Sequence, residues 1–428
     1  MCAPAVVGLA AQLESEGIPT VGIQATTFKR IAASASRARG ISELPQIFVP
    51  DKLDGRTAQD YRGFIRGSDP VLGRPFLEEL IEGITVEVKE GSGGPAFIPN
   101  ERFVDVSDAE SAFNLFEARG WTDHLPIVLP TPERVEAMLS GTSHSPDQIV
   151  ARVAPAWSRV PWEFNVEQVG VNAVMAGARP EYLPVILALM STGESARMSS
   201  LTSMATIGIV NGPIRTQIGM NPGIGAMGPF NHANTTIGRA FALCSQNLGG
   251  GSEPGDTYMG TLGNPYNYSA VYPENEEASP WEPLHVSGGA SPDQSMVNLF
   301  IGGWGTISFW GPRRSGWEEI DQIAIQAVDP GMPPLAVLDP VVANDFQEAG
   351  FDKARLVDWV ATSSLMPAGR HWRQLPSGPD GKTRAPDELV QMYLPEQINV
   401  VVLGGGTKGH AKLISARHLA SASVDDWR

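Results

Sequence analysis

The chain has 428 residues, 42% of them hydrophobic and 18% charged, and its 46 glycines and 35 prolines predict long, shaped loops. A length of this order favours two or three domains over a single hydrophobic core. The formal net charge of −16 opposes binding to DNA, RNA or an anionic membrane, because affinity for a polyanion rests on cationic side chains that neutralise phosphates.

The cysteines and the apolar runs predict the compartment. Cys2 and Cys244 are too few for a disulfide framework and lack the spacing of a structural zinc site. The apolar N-terminal segment has no positively charged region and meets Glu14 and Glu16, unlike a signal peptide. The apolar run over residues 182–190 is about half of the ~20 residues that a membrane span needs. We therefore expect a cytoplasmic protein.

The first 49 residues predict alternating helices and strands. The predicted elements are a helix over residues 4–16, a strand over 18–24, a helix from Thr26 or Thr27 to Ala38, and a strand over 46–49. This order is typical of a Rossmann-like or flavodoxin-like α/β unit, except that no strand precedes the first helix. We predict an N-terminal α/β domain over residues 1–110 that lacks its usual first strand.

A candidate for the missing strand lies near the other end of the chain. Residues 398–403 have the pattern of a buried strand and run into the glycine-rich turn 404–410. We expect either that this strand joins the N-terminal sheet or that a second polypeptide supplies the absent one. The turn lacks the spacing of a P-loop, but with Lys408 and His410 it could line a site at the carboxyl end of a sheet. The alternative is a turn that simply needs flexible residues.

Residues 111–428 are predicted to form a larger α/β or α+β domain, with the boundary between about residues 90 and 115. Helical patterns cover residues 133–139, 166–176 and 182–190, and a long Gly/Asn/Pro loop covers 211–234. Loops of this length are usually functional or disordered, and the apolar runs on both sides favour a functional loop.

Cys2 is the first candidate for chemistry. A helix N-terminus presents unpaired N–H groups and positive dipole charge, which stabilise a thiolate and lower its pKa. If Met1 is removed, the free amine of Cys2 could serve as its base. The alternative is a buried, unreactive cysteine, which is the prediction for Cys244 in its apolar helical run.

The Gly/Asn/Pro loop is the second candidate, as a binding site for a polar ligand. Its glycines permit close backbone approach, and its amides and hydroxyls both donate and accept hydrogen bonds. A cap on the helix that follows would direct that helix N-terminus into the loop, which favours an anion there. A purely structural loop is the alternative. The predicted substrate-binding residues are Asn211, Asn221, Asn231, His232, Asn234, Thr235 and Arg239, with Asn234 or Thr235 as the cap.

The third candidate is the segment 274–286, which concentrates acidic and amide groups beside a Trp and a His. The predicted acid or base groups are Glu276 and His285, and the predicted substrate-binding residues are Glu274, Asn275 and Trp281. Glu282 and His285 have the spacing of a helical metal site, but Pro280 and Pro283 argue against a helix there. A solvated acidic loop is the alternative.

Several motifs resemble the UGSC-type (seleno)protein family, which is named for a selenocysteine-Gly-Ser-Cys motif. The matching segments are Cys2-Ala3-Pro4, residues 13–14 and 17–21, 120–123, 125–126, 130–131 and 134–136, 172–177, 179–182, 210–213, 234–239 and 274–281. The resemblance implies thiol-dependent chemistry and adds Asn172 to the predicted substrate-binding residues. It places Cys2 at the final Cys of the motif, whereas the selenocysteine position falls before residue 1, so a dithiol or selenylsulfide cycle would need a second subunit.

Three functions remain open from the sequence. The first is an enzyme that acts on a small electrophilic or redox-active molecule through the Cys2 thiolate and requires no cofactor. The second is a hydrolase, hydratase or lyase that uses a divalent metal or Glu/His acid–base groups, and the third is a subunit of a larger complex. A small-molecule substrate and either a homo-oligomer or a partner subunit are expected. We predict that Cys2 and residues 221–285 line one cavity.

Overall fold

The computed structural model describes residues 3–38, 44–50, 57–86, 102–153, 162–197, 203–248, 258, 260, 262–309, 332–371, 382–407 and 409–428. The fold is mixed α/β, as predicted, and its largest sheet has six strands. In these ranges, no helix has the length and apolar character that crossing a membrane requires.

The N-terminal part alternates helices and strands. Its elements are α1 (Ala3–Ser15), β1 (Gly22–Ala25), α2 (Lys29–Ala38), β2 (Gln46–Val49), α3 (Ala58–Arg66) and α4 (Phe76–Thr85). β1 and β2 pair in parallel, with Gly22 opposite Gln46, so α2 is the crossover between them. Small side chains let α1 and α2 pack closely, with Val7 and Ala11 against Ala35 in one cluster. The predicted helix and strand order is confirmed.

The middle of the chain supplies most of the buried helices. Its elements are α5 (Ala109–Ala118), α6 (Pro132–Leu139), β3 (Ile149–Val153), β4 (Trp162–Asn165), α7 (Val166–Met175), α8 (Leu183–Ser191), β5 (Ala205–Asn211), α9 (Ile214–Gln217), α10 (His232–Asn247), β6 (Val271–Pro273), α11 (Leu284–Ser287) and β7 (Met296–Phe309). Residues 183–190 are all buried, because α8 is apolar on every side.

The last third adds strands to the main sheet and two helices that cover it. Its elements are β8 (Pro334–Leu338), α12 (Pro340–Glu348), α13 (Lys353–Ser363), β9 (Leu365–Pro367), α14 (Ala368–His371), β10 (Leu389–Gln391), β11 (Asn399–Val402) and β12 (Ala411–Ser423). The side chains of Asp339 and Asp352 cap α12 and α13 by accepting from the backbone N–H groups of Val342 and Arg355.

The six-stranded sheet has the order β11-β8-β12-β7-β5-β6. The two outer pairs, β11 with β8 and β5 with β6, are parallel, and the inner pairings are antiparallel. The strands β8 and β11 therefore end at the same edge of the sheet.

The sheet is strongly curled, so that its two edge strands approach each other. The backbone N–H of Asn275, two residues after β6, donates to the carbonyl oxygen of Val402 in β11 at 2.7 Å. One interior apolar cluster draws on all six strands, including Ile209, Tyr272, Phe300, Val337, Val401 and Ile414. The outer face is covered by α7, α8 and α10 on one side and by α12 and α13 on the other.

The expectation that the C-terminal strand completes the N-terminal sheet is wrong. β11 pairs with β8, with Val402 opposite Leu338, whereas β1 and β2 pair with each other. The reason lies in β11 itself, because its alternate residues fill both the interior cluster and the cluster against α12 and α13.

Candidate functional site

The candidate site is a cleft at the carboxyl ends of β8 and β11. A cavity of about 680 Å³ lies there, between the loop 224–230 and the turn 403–412. Val337 and Leu403 belong both to the cavity wall and to the interior apolar cluster, so the cleft is the mouth of the curled sheet. Mouths of barrels and carboxyl ends of parallel strands are preferred places for small-molecule sites.

Glycines let the loop and the turn meet closely at this mouth. Gly404 has a φ of 91°, which a residue with a side chain rarely adopts, and its N–H donates to the carbonyl oxygen of Pro222 at 2.8 Å. A Cβ added at Gly405 would clash with Ile224. The loop and the glycine-rich turn therefore form two walls of one cavity, and the predicted role of the turn in lining a site agrees with its position.

Asp339 is the acidic group of the cleft wall. Its carboxylate accepts from the N–H of Val342 at 2.9 Å and from the N–H of His410 at 2.7 Å, so it both caps α12 and holds the turn. Burial raises the pKa of Asp339, although these hydrogen bonds act in the opposite direction. The His410 residue is exposed and also lines the cleft. Asp339 and His410 thus both line one cavity.

The mouth of the cleft is apolar. Ile224 and Phe230 are 68% and 77% exposed at its edge, and Met227 packs from the same loop against the interior cluster. The ring of Phe230 lies so close over Gly225 and Gly228 that a side chain on either glycine would collide with it. The loop therefore presents apolar side chains to a ligand that enters the cleft.

The predicted amides of this loop hold the loop itself. Asn234 accepts from the N–H of Asn221 at 3.1 Å and donates to the carbonyl oxygens of Asn221 and Ala226 at 2.9 and 3.1 Å. Asn231 is the cap of α10, because its side chain accepts from the N–H of Asn234. The predicted cap at Asn234 or Thr235 is therefore wrong by one turn. His232 begins α10 with its ring 5.8 Å from that of Tyr182.

The segment after β6 reaches the same edge of the cleft through Asn275. Its side chain donates to the carbonyl oxygen of Gly404 at 2.9 Å, beside the main-chain bond to Val402. Asn275 is 8% exposed, so it supports the turn from the protein interior. The acidic segment, the loop and the turn therefore meet, but no residue of 274–285 lines the cavity, unlike the prediction that Cys2 and residues 221–285 share one cavity.

The carboxylates beside Asn275 form a buried ionic network with Arg215. The Arg215 guanidinium, whose side chain is 3% exposed, lies 2.8 Å from Glu276 and 3.0 Å from Glu277 and donates to the carbonyl oxygen of Glu274 at 2.6 Å. The hydrogen bond from Arg215 lowers the pKa of Glu277. Glu276 also accepts from the N–H of Gly212 at 2.8 Å. This network fixes the ends of β5 and β6.

Glu274 and Asn211 lie at the centre of this network. Glu274 is 1% exposed and accepts from the Asn211 amide at 2.5 Å and from the N–H of Leu284 at 2.8 Å. Burial raises the pKa of Glu274, since so few charges compensate for the loss of water. Asn211 in turn accepts from Asn298 at 3.1 Å. Both predicted binding residues thus bond to the protein.

His285 lies deep in the same region, on the short helix α11, which Pro283 precedes rather than prevents. Its Nδ1 is 3.9 Å from a carboxylate oxygen of Glu276 and has no hydrogen-bond partner in the described ranges, and its Nε2 is 3.5 Å from the carbonyl oxygen of Pro292. Glu276 and His285, each of which was predicted as an acid or base, therefore face each other. Neither lines the cleft.

Three other predicted residues are placed away from the cleft. Asn172 joins α7 to α10 through Asn247, at 2.7 Å, and Arg239 forms a two-pronged ion pair with Asp123 at 2.8 and 2.9 Å. The indole of Trp281 donates to Gln347 at 2.8 Å. Cys2 lies outside the described residues, as does Lys408. Cys244 is fully buried in α10, which confirms it as a core residue, and burial raises the pKa of its thiol.

Asp339 and Lys412 both line the cleft, although neither was predicted as a site residue from the sequence. The signal for Asp339 was present, because an Asp-Pro pair directly after a buried strand is typical of a helix cap at the carboxyl end of a sheet. Lys412 carried no such signal. Its place depends on the pairing of β12 with β8.

In the described part of the chain, no three His, Cys, Asp or Glu side chains come together as metal ligands. Comparison with protein-family models, with curated proteins and with solved structures finds no match to this chain. Function is therefore inferred from the cleft and its residues.

Proposed function

We propose that the chain is an enzyme that acts on a small organic molecule in the cleft, by acid–base chemistry of the hydratase, lyase or hydrolase type. One observation carries the proposal: Asp339 and His410 lie on the wall of a cavity of about 680 Å³ whose other walls are the glycine-rich turn and the apolar loop 224–230. A cavity of this size suits a small molecule.

The two groups suit complementary roles. Because burial raises the pKa of Asp339, this carboxyl keeps its proton to higher pH than an exposed aspartate and can act as a general acid. The His410 imidazole, which is exposed on the same cleft wall, is the general base in this proposal. The open glycine backbone allows the substrate to approach both.

The test is turnover of a mixture of small metabolites by the purified chain, followed by mass spectrometry. Asp339→Asn and His410→Gln are each expected to lower turnover of any consumed compound by about a hundredfold or more. Asp352→Asn is the matched control, because Asp352 caps α13 as Asp339 caps α12 but does not line the cleft. Full turnover by both cleft variants would contradict the proposal.

The second candidate function is thiol-dependent redox or addition chemistry at Cys2. It rests on the sequence, in which Cys2 is next to the described helix α1 (Ala3–Ser15), because a cysteine at a helix N-terminus has a lowered thiol pKa; Cys2 itself lies outside the described residues. The buried Cys244 is unsuited to this role, because its thiol is held in the protonated form. The resemblance to the UGSC-type family, which implies thiol-dependent chemistry, also supports this candidate.

Alkylation of the native chain with iodoacetamide, followed by peptide mass spectrometry, separates the two candidates. Thiolate chemistry predicts rapid labelling of Cys2 at neutral pH, no labelling of Cys244, and loss of turnover in Cys2→Ser. Turnover that survives in Cys2→Ser and is lost in Asp339→Asn assigns the reaction to the cleft alone.

We propose in addition that the chain forms a homo-oligomer. The side chains of Leu77, Ile81 and Ile84 follow one face of α4 and are 47%, 60% and 44% exposed. Exposed apolar faces of this kind are typical of association surfaces.

A further inference from the structure

We infer that the ligand of the cleft is a small organic acid, with its anionic group beside Lys412 and His410 and its apolar part against Met227 and Phe230. This inference rests on the proposed small-molecule function of the cleft and adds the chemical class of the ligand.

Lys412 supplies the positive charge of the cleft. It lies on β12 with the same two-residue alternation as Ile414 and Ala416, which face the interior cluster, so its side chain is directed to the mouth of the curled sheet. Lys412 is partly buried and lines the cavity, and within the described ranges it has no ion-pair partner. A cation in this position is available to a ligand.

The glycine-rich turn adds hydrogen-bond donors. Gly405 and Thr407 both line the cavity, and in the described part of the chain neither N–H donates to another backbone group. The imidazole of His410 follows on the same turn. Backbone N–H groups beside a cation are the arrangement that binds carboxylates and other small anions.

The single acidic residue in the described lining does not oppose an anion strongly. Both oxygens of the Asp339 carboxylate already accept backbone N–H groups, from Val342 and His410. Lys412 and the turn therefore dominate the local field.

The rest of the lining favours an apolar ligand body and limits the size of the ligand. Ile224, Met227 and Phe230 form an apolar mouth, and a cavity of about 680 Å³ holds a small molecule rather than a polymer. The net charge of −16 disfavours an extended polyanion as a whole. A single anionic group on an apolar body satisfies all of these features.

Three probes of similar shape test the inference: phenylacetate, phenylacetamide and phenethylamine, each titrated into the full chain by calorimetry at low salt and neutral pH. Wild type is expected to bind the acid about tenfold more tightly than the amide. Lys412→Met should abolish this preference without weakening the amide. Arg417→Met is the matched control, because it removes the same charge from an exposed position on the same strand, outside the cleft.

Equal affinity for acid and amide, tighter binding of the amine, or binding of none of the three would each overturn the inference. If Lys412→Met fails to fold, the salt dependence of wild type decides, because the preference for the acid must fall as salt rises. The proposed function is judged separately, by the turnover of Asp339→Asn and His410→Gln, so an uncharged or cationic substrate would overturn the inference alone.

Discussion

The backbone N–H of Asn275 donates a hydrogen bond of 2.7 Å to the carbonyl oxygen of Val402. This bond joins the segment after β6 to β11, and these two strands are the opposite edges of the sheet. The Asn275 side chain adds a bond to Gly404, 129 positions away in the sequence. Because Gly404 also bonds to Pro222, the acidic segment, the loop and the turn meet at one place. The cleft exists because the curled sheet brings them there.

Arg215 is predicted to contribute strongly to stability. Its side chain is 3% exposed, and its removal would leave Glu276, which is 14% exposed, without its cationic partner. We expect Arg215→Met to lower the free energy of unfolding in urea by about 3–5 kcal/mol. Arg417→Met, on the exposed part of β12, should change it by less than about 0.5 kcal/mol. A loss in Arg215→Met no larger than in the control would mean that the network contributes little.

Glu274 is predicted to make stability depend on pH. Because burial raises its pKa, the native state holds the proton of Glu274 more tightly than the unfolded chain does. The stability of wild type relative to Glu274→Gln should therefore be greatest below the unfolded pKa and fall as the pH rises through the native pKa. Glutamine keeps an oxygen acceptor for Asn211 and Leu284. Urea unfolding of both proteins across a pH series measures the difference.

Glu277→Gln is the control of opposite sign for the same experiment. Arg215 lowers the pKa of Glu277, so wild type should gain stability relative to Glu277→Gln as the pH rises above the native pKa. The gain should be small, since the Glu277 side chain is 59% exposed. A stability difference between wild type and Glu274→Gln that stays constant with pH would rule out a shifted pKa at Glu274.

The sequence predicted the fold class and the N-terminal elements well, because capping residues, glycine stops and short apolar runs are local signals. The parallel pairing of β1 with β2 agrees with that prediction. It did not predict the partner of β11, because Val400 and Val402 are apolar on a face that either sheet could cover. Which sheet a strand joins depends on contacts made far away in the sequence.

The site was predicted in the same uneven way. The structure brings the loop and the acidic segment together, but the acidic segment does not line the cleft, whereas a common cavity was predicted. The detailed roles did not follow, because an amide that holds a loop and an amide that holds a ligand have the same sequence. Asn234 and Asn211 are examples, since their side chains bond to the protein. The prediction for Cys2 remains open.

Asn234 is predicted to stabilise the loop of the cleft wall and thereby to support ligand binding in the cleft. Its three hydrogen bonds hold the loop from Asn221 to Ala226, and its side chain is buried. We expect Asn234→Ala to lower the free energy of unfolding by about 2 kcal/mol and to weaken phenylacetate binding. Thr235→Ala, at the next position of α10, is the control for both measurements, because Thr235, although predicted to bind substrate, does not line the cleft. Unchanged phenylacetate affinity in Asn234→Ala would separate the loop from the binding site.

The apolar face of α4 is predicted to mediate self-association. Light scattering during size exclusion should give a mass above the 45.7 kDa of one chain, and Ile81→Glu should shift it toward one chain. Leu262→Glu is the control, because Leu262 is 93% exposed but does not lie on α4. A wild-type mass of one chain at high concentration would contradict this prediction.

The most direct test of the central claim is a crystallographic fragment screen of the purified chain. We expect bound fragments to concentrate in the cleft between Phe230 and His410, with acidic groups toward Lys412. Fragments that leave this cleft empty and bind instead beside Glu276 and His285 would show that the functional site lies in the ionic network around Arg215.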